Sequence, residues 1–298
     1  MKREMFGYVR GGYGKVLERF SEVLIEKGVE IRLNSKVDSI EKLDSGKVKV
    51  TTAAARRSRD TKPNVVRQQT KYAEFQAATV VSQGFSGAFI SEPAMSFGKV
   101  TSFPEDRTAT YFDKVILTCP SNVAEKMLVG IDEEERRKLK DIQYQGIVCA
   151  SMMTKCSLSN YYVTNITDDT PFTGIIEMSA IVDKREFNRN ALIYLPRYIA
   201  PEDELFDKTD AEIEEYFLKG LEKMYPKFRR QDVVAFKVSK VRQVFPVPVL
   251  RYSEELADMR SSLDGVFVVN SSHIVNGTLN INETVQLAEK FYAADVSN

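Results

Sequence analysis

The chain has 298 residues, 43% of them hydrophobic and 28% charged, which excludes collagen-like, low-complexity and disordered classes and leaves room for two domains without a disulfide or metal staple. Its 42 basic residues balance 42 acidic ones, so net charge gives no reason to expect nucleic acid, an anionic membrane or a strongly acidic substrate. Three cysteines without Cys-x-x-Cys spacing form neither a disulfide framework nor a zinc site, and any imidazole chemistry rests on one histidine, His273.

Residues 1–14 are basic and glycine-rich with no apolar core, and no window approaches the ~20 apolar residues of a membrane span, so the expectation is a cytoplasmic chain with no transmembrane segment. Val16, Phe20, Val23 and Leu24 recur at helical spacing and Gly28 stands where a cap belongs, which predicts an amphipathic helix over 14–27. The alternation from Val29 to Leu33 predicts a strand. Strands over 36–43 and 47–51 follow, joined by the Asp44-Ser45-Gly46 turn. Residues 53–111 read as an irregular, solvated insertion. Its basic run (Arg56, Arg57, Arg59, Lys62, Arg67, Lys71) has a phosphate or nucleic-acid patch as the alternative, but no aromatic residues interleave the charge, so no nucleic-acid partner is expected. The apolar run from Asp113 to Thr118 predicts a buried strand, stopped at Cys119-Pro120, with Ser121 capping a short helix to Leu128.

A charged helix over 132–142 opens the middle third, followed by strands at 145–155, 172–182 and 191–198. A second helix, capped by Thr209 or Asp210, turns Ile213, Phe217, Leu221 and Met224 inward and stops at Pro226; another strand covers 233–244. Strands followed by helices without strict alternation imply a mixed sheet with helices on one face. After the rigid Pro246-Val247-Pro248, a short buried strand at 265–269, a polar loop at 270–280 and a helix over 282–293 end the chain.

That last strand, loop and helix hold the strongest chemical signal. Free N–H groups at a helix start carry partial positive charge and suit a phosphate or an electron-rich ring edge, although an ordinary capped crossover has the same pattern. His273 in the loop reads as bonded to backbone, with a base or ring-tuning role as the alternative. Cys119, Cys149 and Cys156 read as small buried residues on strands. Tyr144, Tyr161, Tyr162, Phe172, Tyr194 and Tyr198 are either core or the lining of an apolar substrate cavity.

Three segments carry a resemblance. Residues 265–273 (GVFVVNSSH) with 276–284 (NGTLNINET) resemble the C-terminal flavin segment of FAD-dependent amine-oxidase-like oxidoreductases, the superfamily of phytoene desaturases and protoporphyrinogen oxidases. Residues 10–17 (RGGYGKVL) with 28–37 (GVEIRLNSKV) are similar to the stretch entering that family's cofactor domain, and 112–120 (FDKVILTCP) to its strand returning to the cofactor. The resemblance implies that the backbone of Val37 holds adenine, that Thr118, Cys119 and Pro120 pass the adenosine half, that Asn270 and Ser271 lie against pyrophosphate and ribityl, and that Asn280, Asn282 and Glu283 face the flavin ring edge. Many members have Gly-Asp where this chain has Asn270-Ser271; amide and hydroxyl groups hydrogen-bond the same atoms.

Such enzymes open with a strand and a G-x-G-x-x-G turn, which neither Gly11-Gly12-Tyr13-Gly14 nor residues 82–87 reproduce. The expected fold is therefore α/β: an incomplete, Rossmann-like FAD-binding domain from residues 1–130 and 246–298, with a substrate domain over 131–245. The expected function is FAD-dependent hydride removal from a C–N or C–C bond of a small-molecule substrate, in a fragment or split form served by a complementing N-terminal chain. The alternative is a non-catalytic partner subunit that holds no FAD by itself.

Overall fold

A computed structural model describes residues 7–33, 35–53, 108–275, 277 and 279–296. The basic run at 56–71 lies outside them. Two compact units emerge, one built on Tyr144–Val244 with residues 7–23, the other on residues 24–53 and 108–143 with the stretch after Val244.

The unit built on Tyr144–Val244 is a five-stranded sheet ordered β10-β6-β9-β8-β7, where β6 is Tyr144–Thr154, β7 Val163–Asn165, β8 Gly174–Glu177, β9 Ala191–Ile199 and β10 Val233–Pro246. The pairs β6–β9, β9–β8 and β8–β7 are antiparallel. The strand expected over 172–182 is shorter because a 3-10 turn at Met178–Ala180 ends it. Helix α4 (Asp210–Met224) covers one face. Its capping box is complete, with Thr209 Oγ1 accepting from Glu212 N and the Glu212 carboxylate accepting from Thr209 N. Ile213, Phe217 and Leu221 are fully buried against Val148, Ala150, Met152, Ile193 and Leu195, and each such side chain contributes about 1.5–3 kcal/mol. The opposite face carries Met153, Leu192 and Tyr194 with Cys149, Ile176 and Ala235 beside them.

In the other unit, β1 (Val37–Lys42), β2 (Val48–Thr52), β3 (Thr108–Phe112) and β5 (Leu128–Val129) form a sheet ordered β3-β2-β1-β5. Thr108–Phe112, at the end of the stretch expected to be irregular, is a strand because it finds an antiparallel partner in β2. A second sheet is the parallel pair β4 (Val115–Leu117) and β11 (Val266–Val268). Helices α2 (Ser121–Met127), α3 (Glu133–Asp141), α5 (Tyr252–Glu255) and α6 (Ile281–Phe291) complete it. Leu117, Ala124, Leu128, Leu139, Val266 and Val268 form its core.

Several expectations are corrected. Val29 to Leu33 forms no strand: alternation specifies one only where a neighbouring strand accepts its hydrogen bonds, and here none of the described residues pairs with it. Helix α1 (Gly12–Glu26) forms as predicted, yet its apolar side is only partly covered: Val23 and Leu24 are half-buried while Phe20 is 61% exposed. Strand β4 is only half buried, since Ile116 is 46% exposed. Ser121 caps nothing: Pro120 occupies the N-cap and the Ser121 hydroxyl turns to the Asn270 loop. Cys156 is exposed beyond the end of β6, whereas Cys119 and Cys149 are largely covered.

Candidate functional site

Parallel strands carry their ligand crevices beyond their carboxyl ends, which is where β4 and β11 stop together. Val269 N donates to Leu117 O at 2.8 Å, after which the strands diverge into Thr118-Cys119-Pro120 and Asn270-Ser271. Asn270 joins the two. Its Nδ2 donates to Cys119 O at 2.8 Å and to Ser121 Oγ at 3.2 Å, while its Oδ1 accepts from Ser272 N at 2.9 Å and Ser272 Oγ at 2.7 Å. Asn270 is buried with both ends of its amide occupied by protein, so it sets the loop, and the half-buried Ser271 with the exposed Thr118 are the polar side chains it leaves open.

His273 lies under this loop. Its Nδ1 accepts from Asn270 N at 3.3 Å and its Nε2 reaches Ala257 O at 3.2 Å, contacts that suit the neutral tautomer carrying hydrogen on Nε2. Burial holds its pKa below the ordinary histidine value. Tyr252 donates its hydroxyl to Ser272 O at 2.9 Å, fixing the loop from beneath. The histidine therefore takes the backbone-bonded role. Cys119 is no nucleophile, because burial pushes its thiol up to about 11.

Val37 opens β1 beside a register irregularity between Val37 and Ser39, and both Val37 and Cys119 pack on the core beneath the strand ends. Asn280 caps α6, its Oδ1 accepting from Glu283 N at 3.0 Å. The N–H groups of Ile281 and Asn282 point out of that first turn, so the helix start presents two donors together with its dipole. Glu283 folds back over Gly277, where a Cβ would stand 2.7 Å from its Cδ.

The aromatics read as either core or cavity lining divide between the two faces of the sheet and the surface. Phe172 is core, its ring 5.7 Å from Phe217, and Tyr161 is 73% exposed. Tyr194 and Tyr198 alternate onto the sheet face opposite α4, where burial raises the Tyr198 hydroxyl. Lys237, whose ammonium burial pushes down, alternates to the same face with Ala235. Sequence reasoning passed over Lys237; the only signal was a lysine in phase with an inward residue of a strand.

Hydroxyls at two strand ends and a helix start with its dipole are each groups that can hydrogen-bond an anionic, electron-rich ligand. In three dimensions the chain is similar to a protein provisionally named protoporphyrinogen oxidase from Exiguobacterium sp. 255-15, with a TM-score of 0.63 at 14% identity over 96% of this chain and 51% of that one. It is similar also to wild-type putrescine oxidase bound to putrescine (TM-score 0.60, 13% identity, 97% and 53% covered) and to a fatty acid isomerase from P. acnes that produces CLA (0.54, 14%, 96% and 52%). The chain spans about half the length of these solved structures. No curated protein sequence matches it. The sequence pattern of flavin containing amine oxidoreductases matches residues 2–63 and 95–280, most of the chain, and the α/β architecture agrees with it. On that match, the chain belongs to the flavin containing amine oxidoreductase family.

Proposed function

We propose that this chain forms the back wall of an FAD site in an oxidoreductase that withdraws hydride from a C–N or C–C bond of a small apolar molecule. The observation that carries this reading is the convergence of β4 and β11 on one loop joined by Asn270. In it, Thr118 and Ser271 hydroxyls bond the phosphate and ribityl oxygens, the Val37 backbone bonds adenine, and the Ile281 and Asn282 N–H groups face the ring edge. Bound FAD supplies the hydride acceptance. The chain's own part is to orient that group, to place partial positive charge at the helix start where negative charge develops, and to exclude water.

The test is reconstitution: the purified chain is mixed with FAD, desalted, and its visible spectrum recorded. Retained flavin absorbance that falls on Ser271→Ala supports the reading, and free FAD eluting quantitatively from chain supplied with its complementing polypeptide refutes it. A second reading is a partner subunit that holds no FAD alone. Colourless lone chain that turns yellow only with the complementing polypeptide selects it.

A further inference from the structure

The short turn that carries Ser271 closes on itself through a capping box with an uncommon member. Asn270 stands at its N-cap, its side chain accepting from Ser272 N at 2.9 Å, and the reciprocal acceptor for Asn270 N is Nδ1 of His273 at 3.3 Å. In the ordinary form of this box a glutamate or glutamine fills that place and remains an acceptor through the neutral range. An imidazole does not: below its pKa both ring nitrogens carry hydrogen, and Nδ1 can no longer accept.

The other ring nitrogen is committed as well. Nε2 donates to Ala257 O at 3.2 Å, so the neutral ring ties the turn to the stretch that follows α5. Protonation keeps that bond and reverses the other. A hydrogen on Nδ1 would face the N–H of Asn270, and the nearby acceptor, Asn270 O at 3.3 Å, already takes the His273 N–H at 3.1 Å. With only 9% of the residue exposed, little water reaches the ring to accept in its place.

Few charges bear on this choice. Burial favours the neutral ring, and Asp258 opposes it. From the same stretch Arg251, Glu254 and Glu255 are exposed, and Tyr252 donates its hydroxyl to Ser272 O. Asn270, Ser271 and Ser272 of the turn and Ser121 of α2, which meets Ser272 Oγ at 3.2 Å, carry no charge.

We propose that His273 is a proton-operated latch on the cofactor-facing turn: neutral, it holds residues 270–273 closed with Ser271 presented to the phosphate and ribityl oxygens, and protonated, it frees the turn and releases the cofactor. The proposal deepens the FAD reading and rests on it for the identity of what is released. The closed turn excludes the proton, whereas an open turn admits it at an ordinary imidazole's ~6.5. The ratio of open to closed turns therefore rises as pH falls below that value, by up to about tenfold between about pH 7.5 and about pH 5.5.

The experiment is hydrogen exchange on the full, flavin-free chain at those two pH values, each rate divided by the intrinsic rate at its pH. The expected result is a loss of protection of between about threefold and tenfold at the amides of Asn270, Ser272 and His273, with Val115 and Val268 of the β4–β11 ladder unchanged. His273→Asn keeps an acceptor near the Nδ1 position and does not titrate, so its turn stays protected at both pH values, while His273→Ala is unprotected at both. Circular dichroism checks that the variants fold, and the wild-type comparison of turn with ladder stands whatever they do. Unchanged protection in the wild-type turn, an equal loss across the ladder, a pH response that survives in folded His273→Asn, or wild-type protection in His273→Ala overturns the latch. FAD retention after desalting at the two pH values, by the chain with its complementing polypeptide, separates the two readings. A turn that opens although no flavin is held at either pH refutes the function and leaves the latch. Flavin held equally at both by a turn that opens overturns the proposed release and leaves the function.

Discussion

Replacing Asn270 by aspartate changes one NH2 group to an oxygen where the geometry leaves no room for the change. The retained Oδ1 still accepts from Ser272, but the new oxygen meets the Cys119 carbonyl oxygen where a donor stood at 2.8 Å. The hydrogen bond to Cys119 is lost and its buried carbonyl left unsatisfied, while the Ser121 hydroxyl can turn to donate to the new oxygen. At about 0.5–1.5 kcal/mol for the bond and about 1–3 kcal/mol for the orphaned group, Asn270→Asp loses about 3 kcal/mol at neutral pH. For a cooperative unit of this size that lowers the melting midpoint by about 6–12 °C. The folded state can recover the bond to Cys119 only by protonating the new carboxyl, so its folded pKa rises above the unfolded ~3.9. The folded variant then binds the proton more tightly, and its deficit against wild type is small below about pH 4 and grows as pH rises through the raised value. Melts followed by circular dichroism at neutral and mildly acidic pH, with Asn270→Ala as the pH-independent comparison, make the measurement. A variant that melts with wild type at pH 7, or whose deficit widens on acidification, would show that the amide does not join the strand ends.

Because His273 is the sole histidine, its ring resonances identify themselves: an NMR titration should give a midpoint below the ordinary ~6.5, and stability should fall with pH only below that value, since the unfolded chain then takes up the proton first. A midpoint at or above 6.5 contradicts the buried neutral ring. Gly265→Ala places a Cβ 2.7 Å from Asp113 O at a φ of +79°, and should cost about 2–4 kcal/mol in urea unfolding; an unchanged midpoint counts against the tight entry into β11. Glu177, fully buried, accepts from Leu158 N, Ser159 N and Ser179 Oγ, so Glu177→Ala should lose about 2–4 kcal/mol while Glu177→Gln keeps most of the stability, and equal losses would refute this assignment. Thr209→Ala removes the cap of α4 and should cost about 1 kcal/mol, read as a small fall in the denaturation midpoint.

Periodicity alone located what is decided by periodicity. The helices at 12–26, 210–224 and 281–291 were legible from an apolar stripe at helical spacing, the helix at 133–141 from its run of charged helix formers, and the long strands β6 and β9 from apolar runs buried on both sheet faces. What escaped was set by partners. Val29 to Leu33 alternates as a strand should but has no described neighbour, while Thr108–Phe112 looked irregular and became a strand because β2 lies beside it. The candidate site was legible as segments through family resemblance. Its internal wiring was not: that Asn270 spends its amide on Cys119 and Ser272, or that Ser121 leaves its helix to join them, depends on two loops 150 residues apart in sequence meeting at neighbouring strand ends.

The junction at Asn270 bears on how the molecule ages. An asparagine followed by a small residue is the setting in which the next backbone nitrogen displaces ammonia from the side-chain amide, and at Asn270-Ser271 the resulting cyclic imide would open with water to isoaspartate and to the aspartate whose oxygen faces Cys119. Clamped at both ends of its amide and held away from solvent, this side chain is poorly placed for attack by the following backbone nitrogen. The loop is thus durable while folded and perishable once opened, so a stored preparation would accumulate its chemical damage in molecules that had already loosened there.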